Sequence, residues 1–395
     1  MVLMNRSRTE ARRSRRAWRS RTGVRFSSAL RHEWFLGFSW ATSVAFLVYG
    51  DALLSGLEHP LWLVVIFAWL FGAVLGSALA VVRHAEHLAV YLGEPYGTLL
   101  LTLAVTFVEV TSIAAVMLHG ANNPSLARDT LFAVVMIILN GMVGLSLLLG
   151  GWRHREQQYN LQGANAYLTV ILPLVVLTLI LPNFTQTTPG PTLSRAQEIV
   201  LALVAIGLYL TFLTLQTGRH RGYFILANNE EDALAGPLRA PRSPGHPALQ
   251  HAALLVAYLL PVVILAEQFA HPVDYLIETL RFPAALGGVI IAVLVATPEA
   301  IGAVRAALAN HMQRSINIFL GSVLSTIGLT VPAIIVLSEL TRHDIVLGVE
   351  HSDVVMILLT LFLCVVTFGS GRTNVIQGVV HVMLFIAYLA LIAQA

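Results

Sequence analysis

The chain has 395 residues, 56% of them hydrophobic and only 11% charged, with a formal net charge of +3 and a mean hydropathy of +0.75. Soluble domains carry about 25% charged residues, so this composition excludes a water-soluble enzyme or binding module. It implies an integral membrane protein of the helical type. Ten-residue alternating strands of the outer-membrane barrel kind are not found. The single cysteine, Cys364, allows no intrachain disulfide and no redox motif.

Residues 1–33 form a basic tail. Every one of the 24 basic residues in the chain is arginine, and ten of them fall within residues 6–31. A cytoplasmic anchor is favoured over a transit peptide, because a spanning segment follows directly and no small-residue cleavage site is evident. Nothing in the tail indicates nucleic-acid binding. The first span, 34–54, belongs to a segment 34–59 that stands apart from the rest. Ten further apolar runs of about 20 residues follow, each long enough to cross a bilayer. They cover 60–82, 96–118, 130–150, 164–182, 194–216, 251–270, 282–303, 315–338, 352–370 and 373–393. Placing the N-terminus inside puts 20 arginines on the cytoplasmic side and four, Arg128, Arg195, Arg281 and Arg342, on the other. That asymmetry sets the orientation and supports the count of eleven.

The expected fold class is therefore an all-α polytopic membrane protein. Residues 60–216 form a first five-helix unit, 217–250 a cytoplasmic linker with four prolines and the acidic patch Glu230, Glu231 and Asp232, and 251–395 a second unit. "AEHLAVYL" (85–92) and "AEQFAHPV" (266–273) mark the units as repeats. Because each unit has five spans, the second runs opposite to the first. Inverted repeats recur in secondary transporters, with the binding site at the midplane where they meet. "NLQG" (160–163) and "NVIQG" (374–378) also look alike but fall outside this register.

The third span carries Glu109, about 20 Å along its helix at ~1.5 Å per residue. Thr98, Thr102, Thr106 and Glu109 share one helical face. The eighth span carries Thr297, Pro298 and Glu299. Pro298 leaves the Leu294 carbonyl without its helical donor, and inside a membrane that carbonyl needs another partner. A freed carbonyl, a hydroxyl and a carboxylate within one turn suit a hard cation. Asn317, Gly321, Ser325 and Gly328 share a face of the ninth span. Asn140, Gly141 and Gly144 lie on the fourth. The small residues serve close helix packing, while Asn140 and Asn317 are candidate ligands. Intramembrane carboxylates are functional by default, so Glu109 and Glu299 are the leading metal and proton site. Glu86 and Glu267, near opposite membrane faces, are candidates for gating or proton entry. His84, His87, His271 and His311 are read as interfacial.

"GEPYGTLLLTLAVTFVE" (93–109) resembles the first repeat motif of the calcium/proton exchanger family, within the calcium/cation antiporter superfamily. Gly93, Glu94, Gly97, Leu99, Leu100 and Glu109 carry the match. "ATPEAIGAVRAALANHMQRSINIFLGSVLSTIGLTVP" resembles the second motif, including its "LGSVLS" run with Ser322 and Ser325. "GEPYG" and "ATPE" are closest to the ChaA-like bacterial branch. The Gly-Asn pair of that family is replaced in both halves. The resemblance implies that Glu109 and Glu299 bind cation and exchange protons, that Glu94 joins the gating candidates, and that the protein sits in a bacterial cytoplasmic membrane.

The expected activity is exchange of cytoplasmic Ca2+ for external protons, the two carboxylates titrating as a coupled pair. Na+/H+ or K+/H+ exchange at the same site is the closest alternative, and a passive cation channel a weaker one. No cofactor is called for. The partners are inorganic cations, protons and lipid, with a homo-oligomer left open. No Gly-x-Ser-x-Gly or His-Glu-x-x-His motif supports an enzyme.

Overall fold

The computed structural model describes residues 33–93, 95–119, 124–226 and 248–394. The arginine-rich tail, Glu94 and the acidic, proline-rich part of the linker lie outside the described residues. Within them, eleven helices are long and apolar enough to span a bilayer. They are α1 (Trp34–Leu54), α2 (Pro60–Leu92), α3 (Tyr96–Met117), α4 (Leu126–His154), α5 (Leu161–Phe184), α6 (Arg195–Thr217), α7 (Ala248–Thr279), α8 (Ala284–Leu308), α9 (Met312–Thr341), α10 (His351–Phe368) and α11 (Val375–Ile392). The chain is an all-α polytopic membrane protein.

Local signals set many of the boundaries. Pro60 opens α2, where a missing N–H costs nothing. Ser194 and Gln197 form a reciprocal cap on α6. Asn160 caps α5, and Asn374 caps α11. These last two explain the NLQG and NVIQG likeness as shared capping chemistry. Just before them, β1 (Gln157–Gln158) pairs antiparallel with β2 (Arg372–Thr373) and ties the two loops together.

Two helices outrun their expected ends. α2 continues past 82 to Leu92, and α7 past 270 to Thr279. Both repeat-like segments therefore lie inside helices, toward the C-terminal end of the first helix in each set of five. The second copy is farther from its glutamate because α7 adds a π-helical turn, Tyr275–Thr279, and α8 begins earlier.

α4 is the central helix. Of its most apolar window 89% is buried, against 17% for the peripheral α11. α8 lies directly on α4. A Cβ at Gly288 would come within 2.6 Å of the Asp129 backbone, so only glycine permits this approach. Gly378 plays the same part for α11 against Leu148 of α4. π-helical turns interrupt α4 at Ile137–Met142 and α9 at Thr326–Thr330. Such turns are frequent at functional sites. Large apolar side chains such as Leu61 and Trp152 point outward, as a lipid-facing surface requires.

α1 packs on α2 and α7, with the Ser39 and Ser77 hydroxyls 2.8 Å apart and Trp40 Nε1 donating to the Ala257 carbonyl. Its anchor is Glu33, which accepts hydrogen bonds from Arg83 at 2.6 Å and Tyr258 at 2.9 Å. Burial pushes the Glu33 carboxyl up, but the bonds from His84 and Tyr258 and the Arg83 charge outweigh it and hold it down at about 2.

Two of the histidines expected at the interface, His84 and His271, instead meet other histidines, and His84 is buried. On the Glu33 face, His84 of α2 is 2% exposed and its Nδ1 lies 3.0 Å from Nδ1 of His251 in α7. On the opposite face, His119 and His271 of α7 are also 3.0 Å apart. Each contact draws one histidine from either set of five helices, a juxtaposition of ring nitrogens that apolar runs do not reveal.

A candidate cation site between two carboxylates

Glu109 sits mid-way along α3 and Glu299 mid-way along α8, both away from the helix ends where water could solvate them. α3 and α8 are the second helices of their sets, so the inverted arrangement brings their middles together. Both carboxylates line one small cavity, with Val105 of α3, Val134 and Ile138 of α4, Val295 and Ala296 of α8, and Ser322 and Thr326 of α9. About 10 Å³ of it is open to the centre of a water-sized particle, room for one water or one ion of similar size.

Glu109 is 3% exposed. Its Oε2 accepts hydrogen bonds from Thr330 Oγ1 at 2.8 Å and Thr326 Oγ1 at 3.2 Å. Its Oε1, Glu299 Oε2 and Thr106 Oγ1 are all buried without a hydrogen-bond partner. A buried polar oxygen left unpaired costs about 1–3 kcal/mol, and more when charged. No arginine, histidine or other basic side chain lines the cavity to offset the carboxylates. The arrangement therefore calls for a proton or a metal cation between them. Side chains alone offer six oxygens there: four from the glutamates, one from Ser322 and one from Thr326. Six is the lower limit of what Ca2+ takes, at ~6–8 ligands.

The other expected site residues divide. Ser322 reaches the cavity. Thr106 is buried one turn before Glu109 but does not line the cavity. Thr297 spends its hydroxyl on the Val293 carbonyl, and Ser325 on the Ser322 carbonyl. Such bonds within a helix satisfy a hydroxyl that has no other partner nearby. Asn140 points away from the carboxylates and donates to Thr360 Oγ1 at 2.8 Å. Asn317 donates to the Phe224 carbonyl at 2.8 Å and accepts from Gln313. Both amides are held by partners remote in sequence, so neither is at the cavity.

Of the gating candidates, Glu86 is exposed on the last turns of α2 and does not line the cavity. Glu267 is exposed on α7 and does not line the cavity. Glu94 is outside the described residues. Sequence reasoning missed Thr326 and Thr330. Their signal was the Ser322, Thr326, Thr330 spacing, which stacks three hydroxyls on one helical face.

Comparison with known proteins agrees with this architecture. Residues 62–218 and 250–394 match the profile of a family described as Sodium/calcium exchanger protein. The putative ionic transporter y4hA of Sinorhizobium fredii is 45% identical over 325 residues, covering 82% of this chain and 87% of that protein. The sodium-potassium/proton antiporter ChaA of Escherichia coli is 38% identical over 316 residues, covering 80% and 85%. Among solved structures, native YfkE is similar with a TM-score of 0.69 at 17% identity, over 91% of this chain and 100% of that one. The H+/Ca2+ exchanger CAX has a TM-score of 0.64 at 16% identity, over 91% and 88%. At such identities the two structures speak to the fold alone.

Proposed function

The chain belongs to the sodium/calcium exchanger protein family, and on that premise we propose that it exchanges cytoplasmic Ca2+ for external protons through Glu109 and Glu299. The observation that carries this reading is the convergence of two carboxylates, each with a buried unpaired oxygen, on one cavity without a basic side chain. Two like charges in a low-dielectric site repel strongly. Protons remove that repulsion, and so does one divalent cation, which cancels both charges at once. The two states exclude each other, and that exclusion couples the fluxes. Access alternates as one helix group slides past the other. The arginine asymmetry supports a cytoplasmic Glu33 face in a bacterial inner membrane.

Na+/H+ or K+/H+ exchange at the same site is the second reading. It is favoured by the one-sided oxygen lining, since α4 contributes only Val134 and Ile138. The name of the Escherichia coli relative points the same way.

The test uses everted vesicles with an acid interior, to which Ca2+, Na+ or K+ is added in turn. Proton release on addition is the expected result, and the ion giving it at the lowest concentration identifies the substrate. No response to any of the three would contradict the antiporter reading. Cation uptake without proton movement would indicate a channel.

A further inference from the structure

We propose that His381 of α11 is a positioning residue for the cation site, acting through Asn140 on the π-helical turn that forms the α4 wall of the cavity. The proposal rests on reading the carboxylate cavity as the cation site. His381 is 0% exposed and lies in mid-span, yet it touches neither glutamate. A buried ionisable group in a spanning helix is costly and calls for an account.

Its surroundings supply one. The Nδ1 of His381 lies 3.3 Å from Asn140 Oδ1, and its Nε2 lies 3.0 Å from Thr367 Oγ1. Asn140 in turn donates through Nδ2 to Thr360 Oγ1 at 2.8 Å. One proton arrangement satisfies the set. The Nδ1–H donates toward the α4 turn, and Nε2 accepts from the Thr367 hydroxyl. Asn140, Thr360 and Thr367 are themselves 0–1% exposed. The network is closed and dry, so each lost bond is felt in full.

The turn it grips is Ile137–Met142, where α4 departs from α-helical pairing. A π-helical turn shifts carbonyls out of the ordinary i to i−4 register. No proline lies in the turn to enforce the shift. His381 engages this turn at Asn140, through that residue's side-chain carbonyl. Ile138, on the same turn, faces the carboxylates, with Val134 one turn earlier. The far side of the turn is thus held by α10 and α11, and the near side shapes the cavity. Relaxing the turn to α-helix would slip the register by one residue. That rotates one arm of α4 by ~100° relative to the other, at ~3.6 residues per turn. Ile138 and Val134 could not both stay in the wall. A buried residue behind the site would in this way set how tightly the cation fits.

The test measures cation-driven proton transport in proteoliposomes for Na+, K+ and Ca2+, separating the half-saturating cation concentration from the maximal rate. His381→Leu should raise the half-saturating concentration ~10-fold, within the ~10–100-fold range seen when a metal ligand's supporting partner is lost, with little change in maximal rate. His381→Gln, which keeps a donor for Asn140, should stay near wild type. Thr360→Val removes the Asn140 acceptor and a weak bond to the Met136 sulfur, should raise the value ~3-fold, and decides the matter if His381→Leu does not insert. Unchanged half-saturation in the inserted Leu and Val variants would overturn the proposal. Glu109→Gln and Glu299→Gln are measured alongside. If they transport normally, the cavity is not the cation site, and that failure is separate from a failure of the clamp.

Discussion

α4 and α9 are the third helices of their sets, and both carry a π-helical turn in mid-membrane, yet they meet the carboxylate cavity with opposite chemistry. α9 presents Ser322 and Thr326 and sends Thr330 to Glu109. α4 presents Val134 and Ile138 and turns its amide, Asn140, outward to Thr360 and His381. Topological symmetry in this fold is therefore not chemical symmetry. One wall offers hydroxyls to the cavity and the other only apolar side chains. The polar group of the α4 wall serves the packing of the turn.

The comparison breaks first on the α9 side. Replacing Thr326 and Thr330 together by valine strips both side-chain donors from Glu109. Each hydrogen bond to a charged group contributes about 1.5–3 kcal/mol, so the double variant should raise the half-saturating cation concentration ~100-fold. Ile138→Val on the α4 side, which shortens the wall by one methylene, should stay within ~2-fold. Equal sensitivity of the two walls in the same proteoliposome assay would remove the asymmetry.

The smallest effect on transport is expected far from both walls, at Glu33. Its folded carboxyl sits at about 2, below the ordinary value of 4.5. The ionised form is thus favoured in the folded state. Its contribution to stability is fully present above pH 4.5 and is lost as the pH falls toward 2. The melting temperature of purified protein should drop across that window, and Glu33→Gln should lack this part of the drop. At neutral pH the variant should transport within ~2-fold of wild type, because Glu33 ties α1 to α2 and α7 and does not line the cavity. A melting curve with the same pH dependence in variant and wild type would show that the anchor is not what titrates.

The fold was largely legible in the sequence because hydropathy and arginine placement report directly on spanning helices. Glu109 and Glu299 were legible for the same reason: an isolated carboxylate in an apolar run stands out. What was not legible depends on which side of a helix faces which neighbour. The small-residue stripe of α9, through Asn317, Gly321, Ser325 and Gly328, drew attention one residue away from the hydroxyl stripe that faces the cavity. Asn140 and Asn317 looked like better ligands than the glycines and serines of the same faces. Their partners, Thr360, His381 and Phe224, are far off in sequence, and no local pattern announces them. The lengths of α2 and α7 were missed because their ends carry charged residues such as Arg83, Glu86, Asp274 and Glu278, which lower the hydropathy of the run without ending the helix.

The central claim is that one pair of carboxylates holds either protons or the cation. It is tested most directly by measuring protons released when Ca2+, or the ion selected in vesicles, is added to purified protein in weakly buffered detergent solution. Wild type should release protons in proportion to cation bound. The double variant Glu109→Gln, Glu299→Gln should release none. Undiminished proton release from that variant would contradict the account.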